Sequence, residues 1–218
     1  MLLALLTPCM LFAGTFRDDF EKEADYVADS QLRDGGVWGE DISAFTWDNG
    51  SIRGIGPVDL FLDLVTGTRD LDTQTVECRV KVITWGREPQ FPRDDMPALP
   101  HVGMIFRRPC IDSRAAYILG LKASSVSFYH VTNMPKVLAR EYLSFTPGVW
   151  YALKIVVDGG TFACWIDGKK ALEAVDRTIE TGMAGFFVAW GTVANFDDFV
   201  LTGPDVVDGG HWDPAAHR

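Results

Sequence analysis

The chain has 218 residues, of which 47% are hydrophobic and 12% aromatic, and its formal net charge at pH 7 is −10. The apolar content excludes an intrinsically disordered chain, and the length suits one large β domain with a substantial core. The negative charge argues against a nucleic acid partner, because such a surface repels phosphate backbones, but it is compatible with neutral sugars or divalent cations as ligands.

The N-terminal segment is apolar. Residues 1–14 carry no charge, and charged residues begin abruptly at Arg17. This pattern is typical of the core of a signal peptide cleaved near Ala13 or Gly14, although the usual basic start is missing. The segment is also shorter than the roughly 20 residues that span a bilayer. We therefore expect a signal peptide and a secreted or periplasmic protein, with an inner strand of the domain as the alternative.

An alternation of period two, typical of β-strands, dominates the sequence from Phe45 onward. It is clearest in residues 73–83, where polar residues alternate with Val and Cys. The other predicted strands, in chain order, are 58–65, 101–107, 115–121, 126–131, 137–143, 150–157, 161–166, 186–190 and 195–202. Only residues 21–32 are compatible with a helix. The pattern predicts an all-β sandwich of two antiparallel sheets over residues 15–204, followed by a polar tail at 205–218.

A proline-rich interruption, WGREPQFPRDDMPALP at residues 85–100, separates two of these strands. Loops of this length are commonly functional, and proline stiffens the chain. An ordered rim or lid beside a binding surface and a tolerated surface insertion are the two interpretations.

Cysteine and tryptophan positions predict parts of the core. Cys78 and Cys164 fall on apolar strand faces and are expected to be buried, whereas Cys110 is expected in an exposed loop. Trp150 and Trp165 are also expected to be core residues.

The C-terminal part and two earlier segments resemble a known family. Residues 148–204 alternate short strands with the turns Asp158-Gly159-Gly160 and Asp167-Gly168. Gly103-Met104-Ile105-Phe106-Arg107 precedes Ala115-Ala116-Tyr117-Ile118-Leu119, and Trp47-x-Asn49-Gly50-Ser51-Ile52 looks like an early strand pair. Over residues 16–204 the order of these pieces resembles the concanavalin A-like lectin/glucanase superfamily, particularly its laminin G-like and keto-disaccharide hydrolase-related members. The resemblance implies a jelly-roll sandwich.

Two acidic doublets, Asp18-Asp19 and Asp197-Asp198, stand among phenylalanines near the two ends of this region. The first and last strands commonly pair in jelly rolls of this kind, so the resemblance implies that the doublets lie close together. Carboxylate and carbonyl oxygens are calcium ligands, and a structural calcium site is one hypothesis. The alternative is that the aspartates cap turns or accept hydrogen bonds from backbone amides.

Sequence motifs for catalysis are absent. Laminarinase-type glucanases of the resembled superfamily carry their carboxylates as Glu-x-Asp-x-x-Glu on one strand, and the chain lacks this motif. Glu77 shares its strand face with Arg79 and Lys81, which is typical of a solvated residue. Asp59 and Asp63 are too far apart to share a proton. No histidine or cysteine lies in a triad or zinc motif.

Sugar binding requires flat aromatic faces and a few planar hydrogen-bond donors. Arg107 and Tyr117 lie on neighbouring predicted strands, Trp85 and Trp190 at strand ends, and His101 after the proline-rich loop. In the resembled fold these positions are expected to face the concave sheet. A core role is the alternative for each of them.

These observations predict a carbohydrate-binding, lectin-like module that holds a glycan on its concave sheet. The first alternative is a glycoside hydrolase related to the keto-disaccharide hydrolases, with Arg107 and an acid from the proline-rich loop near the scissile bond. The second is a structural or adhesion module. Catalysis requires convergent carboxylates in one cleft, whereas binding requires only an aromatic platform.

Overall fold

The computed structural model describes residues 13–21, 38–40, 44–57, 61–87, 100–109, 115–132 and 135–208. These residues form fifteen β-strands and no α-helix. The strands are β1 (Gly14–Asp18), β2 (Gly39–Glu40), β3 (Phe45–Trp47), β4 (Ile52–Ile55), β5 (Phe61–Thr66), β6 (Gln74–Thr84), β7 (Val102–Arg108), β8 (Ala116–Lys122), β9 (Ser125–Val131), β10 (Lys136–Glu141), β11 (Trp150–Asp158), β12 (Thr161–Ile166), β13 (Lys169–Val175), β14 (Met183–Ala189) and β15 (Val193–Gly203). Within these described ranges no helix is long and apolar enough to cross a membrane.

The strands build two antiparallel sheets. The seven-stranded sheet has the order β10-β9-β8-β7-β14-β5-β2, and the eight-stranded sheet has the order β13-β12-β11-β6-β15-β4-β3, with β1 paired to β15. Neighbours in a sheet are frequently distant in sequence, as for β7 beside β14 and β6 beside β15. Such crossovers between two packed sheets are typical of a jelly roll.

The predicted strands are confirmed with shifts of a few residues. The early hairpin is present as β3 and β4, which pair with Trp47 opposite Ile52 around the left-handed Asn49 and Gly50. The prediction missed β13, a charged strand at the edge of the eight-stranded sheet. Most of the segment 21–32, which was compatible with a helix, lies outside the described residues.

The main core lies between the two sheets and takes one face of each central strand. In β6 the residues from Val76 to Val82 alternate between buried and half-buried, as period-two patterning predicts. Cys78 and Cys164 are buried as predicted, and burial raises the pKa of both thiols. Cys110 lies outside the described residues.

A second apolar cluster lies on the side of the seven-stranded sheet that points away from the core, here called the outward face. Its buried members are Val65, Ile105, Ala116, Ile118, Tyr129, Val131, Met183, Phe187 and Ala189, with Phe61, Val137 and Trp190 packed against them. Residues between these in sequence, such as Met104 and Phe186, belong to the main core. The seven-stranded sheet is therefore apolar on both sides, which is unusual for an antiparallel sheet with one solvated face.

The pairing predicted for the two ends of the domain is confirmed. β1 runs antiparallel to β15, with Gly14 opposite Gly203 and Asp18 opposite Phe199. Behind this pair, the buried Trp38 lies 4.9 Å from Phe199 and 5.4 Å from Phe186, measured between ring centroids. Burial of these large rings supplies much of the hydrophobic stabilisation at this end.

The prediction that Trp150 and Trp165 are core residues is wrong. Both are half-buried on strands whose other face enters the core, so their rings lie on the outer side of the eight-stranded sheet. The Lys81 ammonium lies 4.5 Å and the Arg79 guanidinium carbon 5.2 Å from the centroid of Trp150. A tryptophan in a strand can be held on the surface by cation–π contacts, which sequence alternation alone does not reveal.

Candidate functional site

The outward face carries partly exposed aromatic rings at its β5 and β14 side. Phe61 on β5 and Phe187 on β14 meet edge to face, with centroids 6.3 Å apart. Phe187 is fully buried, whereas Phe61 and Trp190 are half-buried and reach solvent. Aromatic surface is thus exposed to solvent beside an apolar floor.

Trp190 has an unusual backbone conformation. It has φ of 56° and is followed by Gly191 with φ of 69°. The amide of Thr192 donates to the carbonyl of Ala189 over 3.0 Å, which closes a two-residue turn between β14 and β15. Positive φ at both central residues is the pattern of a type I′ β-turn, which here leads from one sheet to the other. For a bulky side chain such a conformation is strained, and strained residues concentrate at functional sites.

A buried ion pair crosses the outward face. Arg108 Nε lies 2.8 Å from Asp63 Oδ2, and both side chains are nearly fully buried. Asp63 stands between Phe61 and Val65 on β5, so the pair lies beside the aromatic rings. A buried charge pair of this kind orients polar groups on an otherwise apolar surface, and its net contribution to stability is small.

The β8 and β9 side of the outward face is closely covered. A Cβ atom at Gly120 would meet Pro100 side-chain atoms at 2.1 Å and Tyr129 at 3.3 Å. Pro100, the last residue of the proline-rich segment, therefore lies on this part of the sheet. The Tyr129 hydroxyl is buried without a hydrogen-bond partner among the described residues. The rest of the segment, residues 88–99, lies outside the described residues.

Three of the five predicted ligand-binding residues meet at one end of the seven-stranded sheet. The rings of Trp85 and His101 meet edge to face at 5.8 Å, and His101 Nδ1 shares a 3.0 Å hydrogen bond with the Thr192 hydroxyl. The amide of Gly86 donates to the same hydroxyl over 3.0 Å. Thr192 follows the Trp190 turn directly, so all three aromatic residues surround the connection from β14 to β15.

Arg107 lies at the opposite end of β7 and does not reach the outward face. The register of β7 and β14 shifts here, and Arg107 has φ of 49°, so it is the extra residue of a β-bulge. Its guanidinium is buried and donates to the carbonyls of Ile179 over 3.0 Å, of Asp72 over 2.8 Å, and of Gly159. Burial is the main reason that its pKa is lowered from the ordinary value of an arginine.

Tyr117 is fully buried in the main core. Its ring lies 4.5 Å from Phe162 and 5.6 Å from Phe106, measured between centroids. Its hydroxyl donates to Asp176 Oδ1 over 2.6 Å and accepts from the amide of Ile179 over 3.1 Å. Burial, assisted by the hydrogen bond to Asp176, raises the pKa of Tyr117 to about 12.

The prediction that Arg107, Tyr117 and Trp190 share one open surface is therefore wrong. Arg107 and Tyr117 hold loops at one end of the sandwich, and Trp190 lies at the other end. Trp85 and His101 join Trp190 there, as described above. No pattern in the sequence indicated Phe61, Phe187 or the Asp63–Arg108 pair as site residues.

The carboxylates predicted to bind calcium are engaged by protein donors. Asp18 accepts hydrogen bonds from the amide of Phe20 over 3.0 Å and from Trp38 Nε1 over 2.9 Å. Asp19 accepts from the amide of Glu21 over 3.3 Å. Both aspartates thus have the turn-capping contacts of the alternative hypothesis.

The second doublet is held by a cation. Arg79 contacts Asp197 at 2.5 Å and Asp198 at 2.6 Å. Burial is the main reason that the pKa of Asp197 is raised. No three His, Cys, Asp or Glu side chains within the described ranges form a metal-binding group. A guanidinium at these oxygens does not fit a bound calcium ion, so the calcium hypothesis needs a direct test.

Comparison with solved structures identifies the fold. No protein-family model matches the sequence, and no curated relative matches it. The carbohydrate-binding module CBM66 from Bacillus subtilis superposes with a TM-score of 0.60 at 18% identity, covering 80% of this chain and 98% of that one. A putative glycosyl hydrolase from Parabacteroides distasonis gives 0.51 at 14%, covering 78% and 88%.

A third similar structure is a non-specific endo-β-1,3(4)-glucanase of family GH16, with a TM-score of 0.56 at 10% identity, covering 88% of this chain and 91% of that one. These three proteins have low sequence identity and share the two-sheet architecture described above. The chain therefore has a two-sheet jelly-roll fold like that of these three proteins.

Proposed function

We propose that the protein binds a neutral glycan on the outward face of the seven-stranded sheet, with Trp190 and Phe61 as the aromatic contacts. The observation that carries the proposal is the exposed edge of this apolar cluster, where both rings are half-buried. Pyranose rings pack their C–H surfaces on such aromatic faces. A glycan ligand agrees with export of the protein, which the apolar residues 1–14 predict.

The similar solved structures support a carbohydrate-related function without naming a ligand, since they include a carbohydrate-binding module and a glucanase. His101 and the amide of Gly86 hold Thr192 at the end of the Trp190 turn, and the Trp85 ring packs against His101. They act in this proposal by positioning Trp190. The buried Asp63–Arg108 pair provides polar groups at the floor of the same surface.

The outward strands that the structure describes offer few carboxylates for hydrolysis. Glycosidases of the common type need two carboxyl groups that face each other across the sugar. Among the outward residues that the structure describes on β5, β7, β8, β9 and β14, Asp63 is the one carboxylate. Arg108 already holds it.

Affinity electrophoresis through gels containing β-glucans, xylan, mannan or arabinan tests the proposal, followed by titration calorimetry with oligosaccharides of the retained polymer. Trp190→Ala and Phe61→Ala are expected to weaken binding by about 1–3 kcal/mol, because each removes apolar contact with the sugar. Trp165→Ala removes a half-buried tryptophan from the other sheet and serves as the matched control.

Retention by none of the polymers, or equal affinity for the parent and Trp190→Ala, would refute the proposal. Release of sugar from a retained polymer by the parent protein would replace it with the hydrolase alternative.

A further inference from the structure

A polar cavity of about 340 Å³ opens at the end of the sandwich where β7 terminates. It is lined by Asp72, Arg107, Gly159, Gly160, Arg177, Glu180 and Thr181. These residues come from β7 and from the β5–β6, β11–β12 and β13–β14 connections. The length of β7, roughly 20 Å, separates this end cavity from the Trp190 turn.

The β-bulge in β7 explains why a cation lies at the base of the end cavity. Without the extra residue, strand alternation would direct Arg107 toward one face of the sheet. The bulge and its positive φ re-aim the side chain toward the sandwich end, as bulges next to functional sites commonly do. Gly182 allows this geometry, since a Cβ there would meet the carbonyl carbons of Arg107 and Arg108 at 2.5 Å.

The rim of the end cavity carries charges of both signs. Arg177 lies across Gly160, because a Cβ at Gly160 would meet Arg177 Cγ at 2.2 Å. Asp72 and Glu180 are exposed on the other connections. With Arg107, the lining has two cations and two anions, so it exerts no net attraction on an anion.

We propose that the end cavity binds a single neutral sugar unit, independently of the glycan proposed for the outward face. A hydroxyl group both donates and accepts hydrogen bonds, so adjacent carboxylates and guanidinium groups suit a ligand with several hydroxyls. The volume falls at the lower end of the range for small-molecule sites, about 300–1,000 Å³. Three connections border it, which suits one sugar unit rather than the middle of a chain.

Saturation-transfer difference NMR and titration with the methyl glycosides of glucose, galactose, xylose and mannose test the inference. Glu180→Gln and Arg177→Ala are expected to weaken binding of the retained glycoside about tenfold or more, because each removes a charged hydrogen-bonding partner. Both residues are exposed, so the variants are expected to fold like the parent. Glu173→Gln, an exposed acid on the neighbouring β13, is the matched control.

Trp190→Ala separates the two proposals, since it should leave glycoside binding at the end cavity unchanged while it weakens binding of polymer. Failure of all four glycosides to bind, or equal affinity in the parent and both cavity variants, would overturn the inference. Stronger binding of glucuronate than of methyl glucoside would overturn the neutral-sugar assignment, because it would identify an anion site.

Discussion

The two ends of the seven-stranded sheet use the same kinds of residue for different purposes. At the β7 C-terminal end, Tyr117 is fully buried and Arg107 is bound to three main-chain carbonyls. At the other end, Trp85 and Trp190 are half-buried around a strained turn. Residue type alone therefore does not identify a sugar-contacting residue. Its exposure decides whether a ligand can reach it.

The largest expected difference between the two ends is in stability. Tyr117→Ala is expected to lower the free energy of unfolding by about 3–5 kcal/mol, because it leaves a cavity beside Phe162 and Phe106. Trp190→Ala is expected to lower it by about 1 kcal/mol, because the ring is only partly buried. Urea denaturation at pH 7 measures both values. Equal losses in the two variants would contradict the distinction drawn between the two ends.

A smaller effect on the free energy of unfolding is expected at acidic pH, and it arises only at the end of the sandwich that contains Tyr117. Partial burial would raise the pKa of Asp176, but hydrogen bonds from Tyr117 and Thr178 outweigh it and lower the pKa from 3.8 to about 2. The folded state therefore takes up this proton at a lower pH than the unfolded state does. The resulting stabilisation is present above pH 3.8 and is lost as the pH falls through about 2.

Tyr117→Phe keeps the ring and removes the hydroxyl donor, so the decline in stability between pH 3.8 and 2 should become shallower than in the parent. Urea midpoints measured at intervals over this range test the expectation. Asp70→Asn, which removes an exposed carboxylate, is the control. An identical slope in Tyr117→Phe and the parent would mean that this hydrogen bond does not hold the Asp176 pKa down.

The smallest expected effect is that of a chelator on the melting temperature. The carboxylates of the aspartate doublets, like the Arg107 guanidinium, already have partners within the protein. Since Trp38 and Arg79 contact these oxygens, we expect a chelator to leave the melting temperature unchanged. A ligand that binds only the folded state would stabilise it, and its removal would lower the melting temperature. A fall on chelation that added calcium reverses would establish the calcium site instead.

The fold was predictable from sequence because burial follows the period-two alternation over most strands. β13 escaped prediction because Lys169, Lys170 and Glu173 make it polar, and it tolerates these charges as an edge strand. The pairing of β1 with β15 was predicted from the resemblance together with the two acidic doublets. The alternation and the doublets are local sequence patterns, and the pairing of the end strands is a feature of the resembled fold. All three can therefore be recognised in a single sequence.

The site was less predictable for a physical reason. β8 is apolar on both faces, so alternation cannot decide whether Tyr117 points into the core or outward. The bulge at Arg107 depends on the register with β14, which has no local sequence signal. The Asp63–Arg108 pair joins residues on strands separated by β14, so neither residue signals the other in sequence.

The pairing of Gly14 with Gly203 has a mechanical consequence. The hydrogen bonds between antiparallel strands run perpendicular to the strands. Force applied at these two adjacent ends would break the hydrogen bonds between β1 and β15 one after another, because it would not be shared among all of them at once. A tether attached at both ends would therefore open this strand pair at low force. The same adjacency allows the domain to be attached to another protein at one place on its surface.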